Sequence, residues 1–137
     1  MSDEPCVFCM VLSGDIPSER VQEDEHTLAV MDINPFTRGH AVVFPKRHVR
    51  GLYDVEDAEL ERTMAAARRL ALAARDRLGA AGVNLLVNTE RAAWQSIFHF
   101  HVHVIPRYEG DPMRLPVEPR PADPDELRTV AGELRGG

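Results

Sequence analysis

No stretch of this chain is long and apolar enough to cross a membrane: a spanning helix needs about 20 consecutive apolar residues, and charges interrupt every run well short of that. Nor is there an excess of positive charge. Sixteen Lys and Arg stand against 22 Asp and Glu, a formal net charge of −6, so a broad nucleic-acid footprint is not expected. The opening Met1-Ser2-Asp3-Glu4-Pro5 lacks the apolar centre of a secretory signal, and the expected location is cytoplasmic, with no membrane partner. There are only two cysteines, Cys6 and Cys9; in a cytoplasmic chain, Cys-x-x-Cys points to metal or redox chemistry before a structural disulfide. Internal repeats and low-complexity tracts are lacking too. The 137 residues suit a single domain, 1–137, that buries roughly two thirds of its unfolded surface, with a Pro-rich tail from about residue 110.

What the chain does have is concentrated in Trp94-Gln95-Ser96-Ile97-Phe98-His99-Phe100-His101-Val102-His103-Val104-Ile105-Pro106-Arg107, which holds three of the six histidines at alternate positions. A strand turns successive side chains to opposite faces. His99, His101 and His103 then share one face, and Phe98, Phe100, Val102 and Val104 share the other. The aromatic and β-branched residues between the histidines favour a strand over a helix, which would scatter the imidazoles. Alternate imidazoles lie about 7 Å apart along a strand, an arrangement with two chemical uses. They can bind a metal ion, or they can supply a neutral nucleophile for phosphorus or carbonyl centres.

The rest of the chain divides by period and punctuation. Residues 6–13 make a short apolar turn of helix that Gly14 ends. Val21–Glu23 and Thr27–Met31 pair as a hairpin, and His40–Phe44 forms a core strand. A long helix is expected from Asp54 as N-cap to about Leu78, with Leu60, Met64, Ala67, Ala71, Ala74 and Leu78 as its core stripe. Val83–Val87 is another strand, joined to the histidine strand as an antiparallel hairpin, and Asp125–Leu134 forms a last short helix with Leu127, Val130 and Leu134 as its apolar side. The expected fold is α+β: an antiparallel sheet of about five strands, one long helix and short terminal helices. Lys46, Arg47, Arg50 and Arg107 lie near these motifs, either to steer an anionic ligand or as solvated charge, with Arg50 read as solvated.

His99-Phe100-His101-Val102-His103-Val104-Ile105, with Gln95 four residues ahead, resembles the signature of the histidine-triad nucleotide-binding proteins. Gly14-Asp15-Ile16-Pro17-Ser18, Asp32-Ile33-Asn34-Pro35 and Gly39–His48 resemble that family's segments in the same order. The resemblance implies a homodimer that hydrolyses nucleoside 5′-phosphate derivatives, either phosphoramidates or dinucleoside polyphosphates, through a nucleotidyl-histidine intermediate. His101 is then the nucleophile. His103 contacts the phosphate and manages the leaving-group proton, and His40 supports both imidazoles. Asp32 accepts the ribose hydroxyls of a purine nucleotide, Phe8 and Ile33 wall its base, and Asn88, Gln95 and Ser96 contact the phosphate or leaving group. By the same resemblance, Cys6, Cys9, His48 and His99 hold a structural zinc, a Cys2His2 set with no open position.

One departure stands out: the family's connection before the triad carries glycines, including one just before Gln95, whereas this chain has Glu90 and Trp94. The expectation for Trp94 is that its indole packs as a core or dimer anchor. Two other functions stay open on sequence alone. One is a zinc-dependent hydrolase with the triad histidines as catalytic ligands, and the other is a nucleotide-binding adaptor with little catalysis.

Overall fold

The computed structural model describes residues 6–136; Gly137 and the acidic segment 1–5, which carries the expectation of no secretory signal, lie outside them. In chain order come helix α1 (Val7–Ser13), strands β1 (Arg20–Glu23), β2 (Thr27–Met31) and β3 (Ala41–Pro45), helix α2 (Asp57–Leu78), strand β4 (Gly82–Leu86), a 3-10 turn (Arg91–Ala93), strand β5 (Val102–Arg107) and helix α3 (Pro124–Leu134). The five strands make one antiparallel sheet in the order β1-β2-β3-β5-β4, the α+β architecture expected from the sequence.

The alternation in β5 sorts the core into two layers. Phe100, Val102 and Val104 point to the α2 side and pack with Val43, Ala66 and Ala67. On the opposite face Leu28, Val30, Val42 and Phe44 pack with Phe8 and Val11 of α1, and His99 and His101 are buried there too. Burying a Val or Phe side chain contributes about 1.5–3 kcal/mol, so the apolar members of the run anchor the strand that presents the imidazoles. The hydrogen-bonded strand is shorter than the histidine pattern. At Phe100 the backbone N–H donates to the Val49 carbonyl at 2.7 Å instead of to a neighbouring strand. Phe98 leaves the core face altogether, lying 4.4 Å beneath the Arg50 guanidinium.

Two expectations for α2 need correction. The N-cap is Glu56, not Asp54. Asp54 sits in a preceding turn, its N–H donating to the Gly51 carbonyl, while Glu59 returns a carboxylate oxygen to the Glu56 N–H at 3.4 Å, the reciprocal bond of a capping box. The buried stripe also runs through Thr63, Ala66, Ala67 and Ala74, and Met64 is exposed. A long flexible side chain loses little by leaving the helix–sheet contact, whereas the small residues allow close approach. Gly39, just before His40, has φ +90°, and a Cβ there would lie 2.5 Å from Leu78 Cδ1; only glycine lets the β2–β3 turn close against α2 and so set His40 in place. No described helix is long and apolar enough to cross a membrane.

Candidate active site

β5 and the residues just before it deliver three imidazoles to one face, and the hydrogen bonds around each ring fix which nitrogen keeps its lone pair. His99 donates from Nε2 to the Pro45 carbonyl at 2.7 Å, which leaves Nδ1 as an acceptor. That Nδ1 lies 3.4 Å from Cys6 Sγ, 3.7 Å from Cys9 Sγ and 3.3 Å from His48 Nδ1, and Cys9 Sγ is 3.5 Å from His48 Nδ1. A tetrahedral zinc, with Zn–S near 2.3 Å and Zn–N near 2.0–2.1 Å, sets nitrogen ligands about 3.3 Å apart and nitrogen–sulfur pairs about 3.6 Å apart. The four side chains fit such an ion. They come from three places: the first turn of α1, where Cys6 and Cys9 share a face and Cys6 Sγ caps the Cys9 N–H at 3.4 Å; the segment after β3; and the entry to β5. Without a cation, burial and then the adjacent Cys6 push the Cys9 thiol up to about 11, whereas a bound metal ion deprotonates its thiol ligands.

His101 donates from Nδ1 to the His99 carbonyl at 2.7 Å, so its Nε2 carries the free lone pair. Only 6% of the residue is exposed; the Phe8 ring meets it edge-on at 5.1 Å, and burial lowers its pKa to about 4. A neutral nucleophile needs this state.

A second cluster, Asp32, His40 and His103, is wired differently. His40 Nδ1 accepts the Phe36 backbone N–H at 3.0 Å, so Nε2 holds the proton and donates to His103 Nδ1 at 3.0 Å, with Asp32 Oδ2 nearby at 3.5 Å. His103 in turn keeps its proton on Nε2. A metal ion here would need the His40 Nε2 lone pair, and that tautomer would turn an N–H of His40 toward the N–H of Phe36. The donor set therefore suits a hydrogen-bond relay and not an ion. Burial lowers both histidines below the usual imidazole range, opposed in each by the Asp32 charge.

These groups open into a cleft of about 570 Å³ lined by Phe8, Asp32, Ile33, Phe36, Ser96 and Ile97 along with His40, His101 and His103, a volume within the range of small-ligand sites. Phe8 stacks on Phe44 at 4.3 Å in the floor, and Ile33 stands at the mouth, 89% exposed. Asp32 has one oxygen occupied by the Asn34 N–H at 2.8 Å and turns the other toward the imidazoles. Asn88 is half-buried beyond the end of β4 and does not line the cleft.

Gln95 is 4% exposed, and its amide is fully committed. It accepts the Glu90 N–H at 2.8 Å and donates to the Arg50 and Ile97 carbonyls at 2.9 and 3.1 Å. The residue braces the loop. Of the cations near the motifs, Lys46 pairs with Glu23, Arg47 with Glu59, Arg107 with Asp111 and Arg50 with Glu90; none lines the cleft. Arg50 is thus a strap across the loop and not simply solvated charge.

That loop is strained where the resemblance called for glycine. Glu90 has φ 71°, ψ 163° and Trp94 has φ 72°, ψ 19°, the only non-glycine residues with positive φ among those described. Each such conformation costs on the order of 1–3 kcal/mol. The indole does not pack in the core: Trp94 is 65% exposed, which overturns the core-anchor expectation.

The HIT domain model matches residues 13–110. This chain belongs to the HIT family. The HIT protein of Bacillus subtilis is 39% identical over 134 residues, covering 96% of this chain and 92% of that one. A zinc-bound histidine triad family protein from Mycobacterium smegmatis superposes with a TM-score of 0.76 at 41% identity, over 96% of both chains. A histidine triad nucleotide-binding protein from Candida albicans gives 0.82 at 27% identity, again over 96% of both. The HIT segment of this chain contains the triad, His40 and His48 but not Cys6 and Cys9, so the case for an ion at the cysteines rests on ligand geometry and not on HIT membership. The Phe36 N–H that sets the His40 tautomer and the Gln95 brace carry no sequence signal; both are backbone contacts made by the fold.

Proposed function

We propose that this HIT protein is a hydrolase of nucleoside 5′-phosphate derivatives working through a nucleotidyl-histidine. The observation that carries this reading is the 2.7 Å bond from His101 Nδ1 to the His99 carbonyl, which aims a neutral Nε2 lone pair into a cleft able to hold a nucleotide. In the first step, Nε2 forms a bond to the α-phosphorus and the bond from phosphorus to the leaving group breaks. The leaving group departs with the electron pair and takes its proton from solvent at the mouth. The positive charge that develops on the His101 ring is held by its Nδ1–H donation to the carbonyl, a charge-assisted bond stronger than its ground-state form. His103, its Nδ1 occupied by His40, offers Nε2–H to a phosphoryl oxygen. In the second step water attacks phosphorus, the P–Nε2 bond breaks, and the water proton returns to solvent.

Asp32 accepts the ribose hydroxyls with its remaining acceptor capacity, the base of a purine nucleotide lies between Phe8 and Ile33, and Ser96 contacts the phosphate. Gln95 acts by bracing the loop. Zinc held by Cys6, Cys9, His48 and His99 would supply a structural cross-link between α1, the post-β3 segment and β5. The chain works in the cytoplasm as a homodimer, as a single domain.

Rapid quenching into alkali during turnover of adenosine 5′-phosphoramidate, followed by peptide mass spectrometry, tests this. The expected result is an adenylyl group on His101, absent in His101→Asn, whose turnover falls by at least about 10³-fold while its metal content stays. Turnover by the native chain with no adduct would reject the covalent route.

A further inference from the structure

The mouth of the cleft has two rims. One, formed by the β2–β3 connection, carries Ile33 and Phe36; the other carries Ser96 and Ile97 from the loop before β5. His101 is buried on the floor between them. In-line displacement puts the leaving group opposite the nucleophile, so it faces the opening. With the nucleoside against the first rim, the leaving group lies along the second.

Trp94 does not line the cleft itself but stands two residues before Ser96, its backbone within about 7 Å of that rim. It is the only tryptophan of the chain, its indole is largely in solvent, and it takes part in none of the described aromatic pairs. A bulky side chain in left-handed backbone is strained, and with the indole largely in solvent little burial within the chain offsets that strain. Bound aromatic groups recover such a cost readily, because an exposed ring offers a flat apolar face.

Building on the hydrolytic reading above, we infer that Trp94 is a stacking platform for the leaving group, and that the preferred substrates are nucleoside 5′-phosphate derivatives whose leaving group carries a planar aromatic ring. A second nucleoside or an aromatic amine meets that description. The bond changes are those of the first step above; Trp94 acts only by holding the departing ring in line.

The test compares kcat/KM for two adenosine 5′-phosphoramidates of matched amine basicity, one with a phenyl ring and one with a saturated ring of the same size. The native chain should prefer the aromatic substrate by about tenfold. Trp94→Leu, which keeps the Cβ and the bulk but not the ring's π face, should bring the ratio close to one, and Trp94→Phe should restore most of it. An equal preference in the native chain and Trp94→Leu would overturn the inference, as would a Trp94→Leu chain that changes only its oligomeric state by size-exclusion chromatography. If the native chain hydrolyses neither substrate, the hydrolytic reading fails, and tryptophan emission judges the platform separately. Stronger quenching by diadenosine tetraphosphate than by AMP would support it, and equal quenching would overturn it.

Discussion

Two clusters of imidazoles sit side by side on the same sheet face, and they are built for opposite purposes. In one, the Pro45 carbonyl takes the His99 proton, so that a lone pair turns inward to meet two thiols and His48. In the other, the Phe36 N–H occupies the His40 lone pair, so that a proton turns inward and passes to His103. Both hold two imidazoles, but the first adds two thiols and the second a carboxylate. Besides the thiols, one backbone group per cluster matters, an acceptor behind His99 and a donor behind His40: the first turns a lone pair inward, as a metal ion requires, and the second turns a proton inward.

The largest effect expected from breaking this division is at the first cluster. Cys9→Ala should abolish zinc binding and lower unfolding free energy by on the order of 3 kcal/mol or more, since binding of a structural ion is coupled to folding; metal analysis and denaturant titration measure both. At the second cluster, His40→Leu should leave zinc in place while lowering kcat/KM by about 10–100-fold, as loss of an orienting partner does. His40→Gln, whose amide can both accept from Phe36 and donate to His103, should recover part of that loss, a pattern that simple packing damage would not give.

Acid sharpens the same contrast. Burial first, with the neighbouring His40 added in the case of His103, keeps His40 and His103 below the ordinary imidazole range. The unfolded chain therefore binds more protons than the folded one once pH drops below about 6.5. The sign follows: stability is full above that pH and falls as pH decreases through and below it. Because acid also protonates zinc ligands, the melting temperature should be followed in metal-free Cys9→Ala, where the buried imidazoles of His40, His99, His101 and His103 all contribute to the slope, and the part lost on adding His40→Leu belongs to the relay. The smallest effect is at the loop. Glu90→Gly removes strain of about 1–3 kcal/mol but loses the exposed Arg50 pair, worth at most about 1 kcal/mol, and should raise stability by about 1 kcal/mol with both clusters unchanged.

Much of this was legible before the structure. The alternation of Phe100, Val102 and Val104 with His99, His101 and His103 places the histidines on one face because an extended chain has a two-residue period, and Phe98 alone departs from it; α1 ends at Gly14 and α2 at Leu78 as expected. The start of α2 lies two residues later than expected because Asp54, the better cap locally, is held in the Gly51 turn, and the reciprocal Glu59 bond makes Glu56 the cap. Gln95 was assigned to phosphate because nothing in sequence shows that backbone groups at Glu90, Arg50 and Ile97 converge on its amide. Trp94 is no core anchor, since its indole lies largely in solvent within the chain, and its left-handed backbone is invisible in sequence.

The division between the clusters is tested most directly by counting metal ions per chain with native mass spectrometry, in the native protein, in His103→Leu and in Cys9→Ala. The account predicts one zinc, one zinc and none. Two zinc ions in the native chain, or loss of an ion in His103→Leu, would show that the relay histidines bind metal and would contradict it.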